Sequence, residues 1–335
     1  CPHYNYENRF VHKPEWRQLG KNGERKQLCL GCKEYARYIC EELVKHNRVF
    51  GEELICMDML FIEPCYDVNH NHSGDGIYHQ IRGLIMIMEA LNEISPDYLV
   101  WTNSGNWLEL MPKLVWYNPN VYLTDPHPRG YMPGLNMLKY LGDCRREQMV
   151  TVHEKYFIPY RSFCNCEYYF ARRSRINDLR VFEYSLLQGL AVTPNICFGE
   201  LRTFLERIPA GKKDYCKAFI KKWLEFVKRN YHYWENTIRV GDTPGIGSVE
   251  IYSHVLSNSG YICLINQNSY SVTACFNLDE TIGLVSGSKF ILYEVYPGNH
   301  PIEEQSIPCT LWGSKISLKL LPNQVRYLYI GPYIE

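Results

Sequence analysis

The strongest constraint on the fold is an alternation of short apolar runs with longer amphipathic stretches between residue 27 and about residue 210. Parallel strands that are buried on both faces appear as apolar runs, and their connecting helices appear as amphipathic stretches. The candidate strands are QLCLG from residue 27, ELICMDM from 53, DYLVWTN from 97, NVYLTD from 120, KYFIPYRSF from 155 and AVTPNICF from 191. Such a row of strand and helix units predicts a (β/α)8-type barrel or an open doubly wound sheet.

A change of pattern near residue 240 predicts a second domain. After GDTPGIG, which begins at Gly241, short runs of strand-forming residues are separated by turns rich in Asn, Ser, Gly and Pro. This pattern is typical of an antiparallel sandwich. We therefore expect a barrel domain at residues 1–240 and an antiparallel β-sandwich domain at residues 241–335.

The number of strand and helix units falls short of a closed barrel. A closed barrel needs eight units, whereas six are recognised, and the 26 residues before Gln27 are too few for two more. We expect an α/β fold whose (β/α)8-type barrel lacks its first one or two β/α units in this chain, because the chain is a fragment of a longer protein. The alternative is a fold that is not a complete barrel.

The charge balance argues against two classes of partner. Lys and Arg together number 36, as do Asp and Glu, so no net field would recruit nucleic acid or an anionic membrane surface. The most apolar segment, LIMIMEALNEI from Leu84, is too short to span a bilayer. We expect neither nucleic acid nor a membrane as a partner, and the sequence leaves a homo-oligomer open.

The 14 cysteines are scattered through apolar runs and are not spaced as a disulfide framework. We expect most to be reduced core residues, which favours a cytoplasmic location; secretion would need a signal upstream of residue 1. Cys29 and Cys32 form a Cys-x-x-Cys pair that leaves metal or redox chemistry open, although no second pair follows at zinc-site spacing. His70 and His72 lie in a loop rich in Gly, Asn and Asp, where we expect them to be solvated; the alternative is that they are metal ligands too.

Three candidate strands end in polar residues that a core would not otherwise contain. Asp58 follows LICM, Asn103 follows LVWT, and Asp125 follows VYLT. The carboxyl ends of barrel strands face a common mouth, so these side chains are expected to converge. Two facing carboxylates are the minimum apparatus for cleaving a glycosidic bond, since one protonates the leaving oxygen and the other attacks the anomeric carbon or activates water. The competing interpretation is that each Asp caps the helix or turn that follows it.

The order of these segments resembles that of the α-galactosidases of glycoside hydrolase family 36 and their clan relatives. The resemblance rests on QLCLGCKEYARYICEELVKH followed by ELICMDM, GIYHQIRGLIMIMEAL, VWTNSGNW, VYLTD, RRSRINDLRVFEYSLLQGLAVTPNICFGEL and AFIKKWLEFVKRNYHYWENTIRVGD. It implies that Asp58 is the nucleophile and Asp125 the acid/base residue of a retaining reaction that requires no cofactor or metal. At two sugar-binding positions the chain departs from the family: Cys56 replaces a Lys, and the loop at 103–107 lacks an arginine.

Further side chains are candidates for binding an oligosaccharide or glycoside substrate. Trp101 and Trp107 flank the loop after the third of these strand candidates, where an aromatic face can stack on a sugar. Asn103 can hydrogen-bond a hydroxyl group. The remaining candidates at the mouth are Glu63, His127 and Arg129.

Three functional interpretations follow. The first is a glycoside hydrolase that cleaves a terminal α-linked sugar, and the second is a non-catalytic carbohydrate-binding relative of the same fold. The third is an unrelated barrel enzyme that uses the cysteine pair with a metal. For the loop carboxylates Glu63 and Asp67, we expect solvated side chains rather than catalytic ones.

Overall fold

The computed structural model describes residues 13–57, 62–103, 121–124, 142, 145–146, 153–154, 165–166, 179–197, 206, 208, 210–285, 289–298, 300–301 and 310–333. By its internal contacts the chain divides into two compact units, residues 1–126 with 154–158, and residues 127–153 with 159–335. Within the described ranges, no helix combines the length and the apolar character that crossing a membrane would require.

The first unit contains a hairpin, a parallel sheet and two long helices. Its strands are β1 (Arg17–Leu19), β2 (Arg25–Leu28), β3 (Leu54–Met57), β4 (Leu99–Asn103) and β5 (Val121–Thr124). Its helices are α1 (Lys33–Phe50) and α2 (Ile77–Ile94), and short 3-10 turns cover Pro14–Trp16 and Val68–His70.

Strands β3, β4 and β5 form a parallel sheet with β4 in the centre. Met57 pairs with Thr102, and Asn103 pairs with Thr124, so the three strands end at nearly the same level. The apolar runs at 53, 97 and 120 therefore form parallel strands, as predicted from the sequence.

Helices α1 and α2 pack against each other. The α2 positions that are spaced at three and four residues bury the predicted face, which includes Leu84, Ile85, Met88 and Leu91. Helix α1 ends at Gly51, whose φ of 64° is the left-handed conformation that favours glycine at a helix C-terminus.

The run at residue 27 is not a strand of the parallel sheet, which corrects the sequence prediction. Strand β2 pairs antiparallel with β1 instead. A tight turn makes this possible, because Gly23 has a φ of 83° and its amide donates to the carbonyl of Gly20 at 3.1 Å. After β2 the amide of Cys29 donates to the carbonyl of Trp16 at 2.8 Å, and the chain then enters α1.

The described residues do not close a barrel. Their parallel strands are β3 to β5 and one further short pair, β6 (Asn165–Cys166) with β7 (Ile196–Cys197). The candidate strand at 155–163 lies outside the described residues. The described part is thus a mixed arrangement of helices and sheets, and the predicted barrel is not seen in it.

The second unit contains helices and an antiparallel sandwich. Its long helices are α3 (Leu179–Leu190) and α4 (Ala210–Asn230). Its antiparallel strands are β8 (Thr237–Arg239), β9 (Glu250–Leu256), β10 (Ser259–Asn266), β11 (Val272–Asn277), β12 (Lys289–Tyr296), β13 (His300–Pro301), β14 (Thr310–Leu311), β15 (Lys315–Leu320) and β16 (Gln324–Pro332).

The sandwich is built from two antiparallel sheets. The larger has the order β13-β12-β16-β10-β9-β8, with β14 also paired to β12, and the smaller pairs β11 with β15. Strand β15 alternates exposed and buried residues, as a strand does when one face covers a core. Apolar side chains of both sheets, among them Leu264, Phe276, Phe290 and Leu318, form one buried cluster. The antiparallel run of strands predicted from the sequence is therefore present, and the domain boundary near residue 240 stays a prediction.

Candidate active-site edge and a buried cysteine–histidine cluster

The carboxyl ends of three parallel strands meet at one edge of the sheet in the first unit. Strand β3 ends at Met57, β4 at Asn103 and β5 at Thr124, and the pairing of Asn103 with Thr124 aligns the last two. Asp58 directly follows β3 in sequence, and Asp125 directly follows β5. Both aspartates lie outside the described residues, so the structure places the strands that lead into them.

The other predicted site residues are described only in part. Trp101 and Asn103 lie on β4, the central strand, and their backbones are described while their side chains are not. Trp107, His127 and Arg129 lie outside the described residues.

Glu63 lies in the loop that connects β3 to α2, and its carboxylate is 42% exposed and 3.4 Å from the Lys26 ammonium group. This agrees with the expectation of a solvated loop carboxylate. The backbone carbonyl of Glu63 accepts a hydrogen bond of 2.7 Å from the side chain of Gln80 on α2. Gln80 in turn accepts one of 2.7 Å from Gln18 on β1. Buried amide side chains therefore join this loop to the helix and to the hairpin.

Asp67 in the same loop is buried, with only 2% of its side chain exposed, so the expectation that it is solvated is wrong. It forms an ion pair with Arg25 of the hairpin and accepts a 3.0 Å hydrogen bond from the Asn69 amide. Burial alone would raise the pKa of Asp67, but the hydrogen bonds from Asn69 and Arg25 outweigh it and lower that pKa. The carboxylate therefore stays ionised and holds the turn at 68–70 against the hairpin.

His70 is buried and His72 is half-buried, so the expectation that both are solvated is wrong. His70 is buried, with its Nε2 atom 2.5 Å from the backbone carbonyl of Glu15 and its Nδ1 atom 3.4 Å from Cys65 Sγ. The Nε2 atom of His72 lies 3.8 Å from Cys29 Sγ. The loop is held down because the amide of Tyr66 donates to the carbonyl of Leu19 at 2.8 Å.

These contacts bring two cysteines and two histidines into one cluster, which we call the Cys2His2 cluster: Cys29, Cys65, His70 and His72. The thiol of Cys29 hydrogen-bonds to Cys65, which raises the pKa of Cys29 and lowers that of Cys65. Burial alone would lower the pKa of His70, but its hydrogen bonds to Cys65 and to the carbonyl of Glu15 raise that pKa.

Sequence reasoning missed Cys65 and chose the wrong pair. The cluster joins Cys29 to Cys65, whereas Cys32 precedes the first residue of α1 and is not among the four residues that converge. A signal was present in the spacing of Cys65, His70 and His72, which resembles half of a metal site. Nothing in the local sequence indicates that Cys29 would complete it.

Comparison with known proteins relates the fold to glycoside hydrolases. No protein-family model matches the sequence, and no curated protein matches it. Among solved structures, the chain is similar to a family GH36 α-galactosidase, AgaA from Geobacillus stearothermophilus in complex with raffinose, with a TM-score of 0.61 at 11% identity. That match covers 97% of this chain and 42% of the α-galactosidase.

Two α-amylases are similar to a comparable degree. For the enzyme from Anoxybacillus the TM-score is 0.59 at 10% identity, covering 99% of this chain and 75% of the amylase. For the enzyme from Geobacillus thermoleovorans complexed with acarbose it is 0.59 at 9% identity, covering 98% and 75%. The chain thus spans less than half the length of the α-galactosidase and three quarters of each amylase. At the level of the fold, it is related to GH36 α-galactosidases and to α-amylases.

Proposed function

We propose that this chain carries the catalytic residues of a retaining glycoside hydrolase that cleaves a terminal α-linked sugar from an oligosaccharide or glycoside. The observation that carries the proposal is the alignment of the carboxyl ends of β3, β4 and β5, since an aspartate follows each outer strand directly. Neighbouring strands lie about 4.8 Å apart, so the central strand separates the ends of β3 and β5 by about 10 Å. Side chains that lean toward each other from such positions can approach the about 5 to 5.5 Å that a retaining mechanism needs.

The fold comparison supports the class of substrate. The solved structures that the chain resembles are α-galactosidases and α-amylases, and two of them hold raffinose or acarbose. Cys56 stands where the GH36 pattern has a lysine, so the proposal extends to an α-linked sugar without specifying galactose.

The proposed reaction is a double displacement. The Asp58 carboxylate attacks the anomeric carbon while Asp125 protonates the departing glycosidic oxygen, which yields a covalent glycosyl-enzyme and frees the aglycone. Asp125, now a carboxylate, then deprotonates a water molecule that attacks the same carbon and releases the sugar with its configuration retained. The side chains of Trp101 and Asn103 on the central strand would stack on the sugar and hydrogen-bond its hydroxyl groups. The residues that would border the site are Glu63, Trp107, His127 and Arg129.

The test is a screen of p-nitrophenyl α- and β-glycosides with this chain and with the longest natural protein that contains it. For the glycoside that is cleaved, Asp58→Ala should abolish turnover, and Asp125→Ala should lower it by about 10²- to 10⁴-fold. Azide should restore product formation in both variants. In Asp58→Ala it attacks the sugar directly on the face that the missing carboxylate leaves free, whereas in Asp125→Ala it attacks the glycosyl-enzyme. The two glycosyl azides should therefore have opposite anomeric configurations.

Asp97→Ala is the matched control, because Asp97 is an exposed aspartate just before β4. It should keep wild-type turnover. Near-normal turnover by a folded Asp58→Ala protein would contradict the proposed mechanism.

A second candidate is a carbohydrate-binding protein without hydrolytic activity. The replacement of the lysine by Cys56 and the missing arginine in the loop at 103–107 favour it, since both remove charged hydrogen-bond donors to a sugar. Saturable sugar binding without cleavage of any aryl glycoside would support this candidate over the first.

A further inference from the structure

We propose that Cys29, Cys65, His70 and His72 bind one zinc ion in a closed, structural site. The proposal concerns the stability of the first unit and does not depend on the proposed glycosidase activity.

The geometry of the four ligand atoms fits a tetrahedral site. One ligand atom from each residue lies within 4.8 Å of all the others. Cys29 Sγ is 3.8 Å from His72 Nε2, and Cys65 Sγ is 3.4 Å from His70 Nδ1. Zinc bonds of about 2.3 Å to sulfur and about 2.0 Å to nitrogen place the two atoms about 3.6 Å apart around a tetrahedral ion. The two sulfur–nitrogen distances in the structure, 3.8 and 3.4 Å, are slightly longer and slightly shorter than this separation.

Backbone amides are directed at both sulfur atoms. The Leu19 amide donates to Cys65 Sγ at 3.4 Å, and the Asp67 amide also hydrogen-bonds this sulfur. The amides of Gly31 and Cys32 lie close enough to the Cys29 thiol to lower its pKa. A thiolate is the form that ligates a metal, and N–H donors stabilise it without competing for the ion.

The two imidazole rings present a nitrogen to the sulfur atoms. His70 Nε2 donates to the carbonyl of Glu15, so that in the neutral ring the unprotonated nitrogen is Nδ1, which lies 3.4 Å from Cys65 Sγ. Metal-bound histidines are oriented by this kind of outer hydrogen bond to a carbonyl or carboxylate. The Nδ1 atom of His72 is buried without a hydrogen-bond partner among the described residues. The His72 ring lies against the rings of His70 and His79, with ring centroids 5.4 and 5.9 Å away.

The donor set selects the metal and the type of site. Two thiolates and two neutral imidazoles carry a charge that a divalent ion balances, and soft sulfur with imidazole nitrogen suits zinc better than Mg²⁺ or Ca²⁺. Four protein ligands leave no open position for substrate or water, which is the pattern of a structural site.

A zinc ion here would join two segments that are distant in sequence. Cys29 directly follows β2 of the hairpin, whereas Cys65, His70 and His72 belong to the loop between β3 and α2. The ion would fix this loop to the hairpin, next to the contacts made by Asp67 and Gln80.

The experiment uses elemental mass spectrometry to measure the zinc content of the reduced, purified chain and of three variants. The wild-type chain should carry about one zinc per molecule after dialysis against metal-free buffer. Cys65→Ser and His72→Gln should each lose at least nine tenths of it, because serine and glutamine keep the size and polarity but not the ligand. Cys275→Ser is the matched control, since Cys275 is exposed on a strand of the other unit and should leave the zinc content unchanged.

A second measurement does not depend on the variants being folded. Cobalt(II) added to metal-free wild-type protein should give the visible absorption bands of a tetrahedral ion and a sulfur-to-cobalt charge-transfer band, both displaced by zinc. Zinc should also raise the midpoint of thermal unfolding of the metal-free protein. Folded, reduced wild-type protein with neither zinc nor tetrahedral cobalt bands would overturn the proposal, as would unchanged zinc in Cys65→Ser. An intact mass that shows Cys29 joined to Cys65 by a disulfide in the freshly isolated protein would overturn it as well.

Discussion

Arg145 and Glu250 form a bidentate ion pair in the interior of the second unit. The guanidinium Nε and Nη2 atoms lie 2.8 and 2.7 Å from the two carboxylate oxygens. The side chains are 2% and 0% exposed. The hydroxyl of Tyr252 donates to the same carboxylate at 2.7 Å, and Gln188 accepts from the guanidinium. Each buried charge is therefore stabilised by the opposite charge and by these neutral hydrogen-bond partners.

Removing one partner of this pair should be strongly destabilising. Arg145→Met leaves a buried carboxylate without its counter-charge, so we expect the free energy of unfolding to fall by about 3 to 5 kcal/mol. Arg145→Met combined with Glu250→Leu should cost less than Arg145→Met alone, because no buried charge remains. Urea unfolding measures both. Lys221→Ala removes an exposed pair with Glu225 on α4 and should change stability by less than about 0.5 kcal/mol. A double variant less stable than Arg145→Met would refute this account of the pair.

His254 on β9 should make the second unit sensitive to acid. It is fully buried, with Nδ1 3.0 Å from the Thr237 hydroxyl, and burial lowers its pKa to about 3. Below about pH 6.5 the unfolded chain binds a proton that the folded chain does not. Stability should therefore fall by about 1.4 kcal/mol for each pH unit between about 6.5 and 3, and His254 should contribute no pH dependence above that window.

The measurement compares urea unfolding of the wild-type chain and of His254→Gln at several pH values. Glutamine does not titrate, so the difference between the two curves isolates the histidine. The wild-type chain should lose stability faster than the variant as the pH falls below 6.5. Parallel curves would mean that His254 is protonated in the folded state.

Much of the fold was predictable because local patterns determine it. The parallel strands at β3, β4 and β5 follow from apolar runs, and the buried face of α2 follows from the spacing of its apolar residues. The run at residue 27 has the same apolar character, yet β2 pairs with β1. The turn at Gly23 brings β2 back alongside β1, the strand that precedes it in sequence, so the two pair antiparallel. The apolar character of the run does not indicate this pairing.

The site was predictable where it depends on strand ends and unpredictable where it depends on contacts distant in sequence. The strands that lead into Asp58 and Asp125 are present, and the roles of these two residues remain predictions. The composition of the loop at 62–76 indicates solvation, but the carbonyl of Glu15 and the amide of Leu19 bury His70 and Cys65 instead. Those partners lie 55 and 46 residues away in sequence, so the composition of the loop does not predict these contacts.

Asn103 tests whether the central strand takes part in substrate binding. It is the last residue of β4 and pairs with Thr124, between the two strands that lead into the proposed catalytic aspartates. If its amide binds a sugar hydroxyl, Asn103→Ala should lower kcat/KM by about tenfold, since a lost hydrogen bond costs about 1 kcal/mol and often more in a buried site. Asn22→Ala, in the exposed turn of the hairpin, is the control and should have no effect. Unchanged kcat/KM in Asn103→Ala would remove Asn103 from the site.

Gly83 in the middle of α2 should tolerate no larger residue, although alanine is normally the better helix former. A Cβ atom at this position would lie 2.0 Å from the backbone carbonyl oxygen of Leu30, so the helix and the segment after β2 would have to separate. We expect Gly83→Ala to lower the free energy of unfolding by about 1 to 3 kcal/mol, as overpacking does. Gly211→Ala on α4 is the matched control, because a Cβ atom there meets nothing within 4 Å. That variant should be as stable as the wild type or more stable by up to about 1 kcal/mol. Both values come from urea unfolding, and equal gains in the two variants would show that α2 does not rest on the backbone of Leu30.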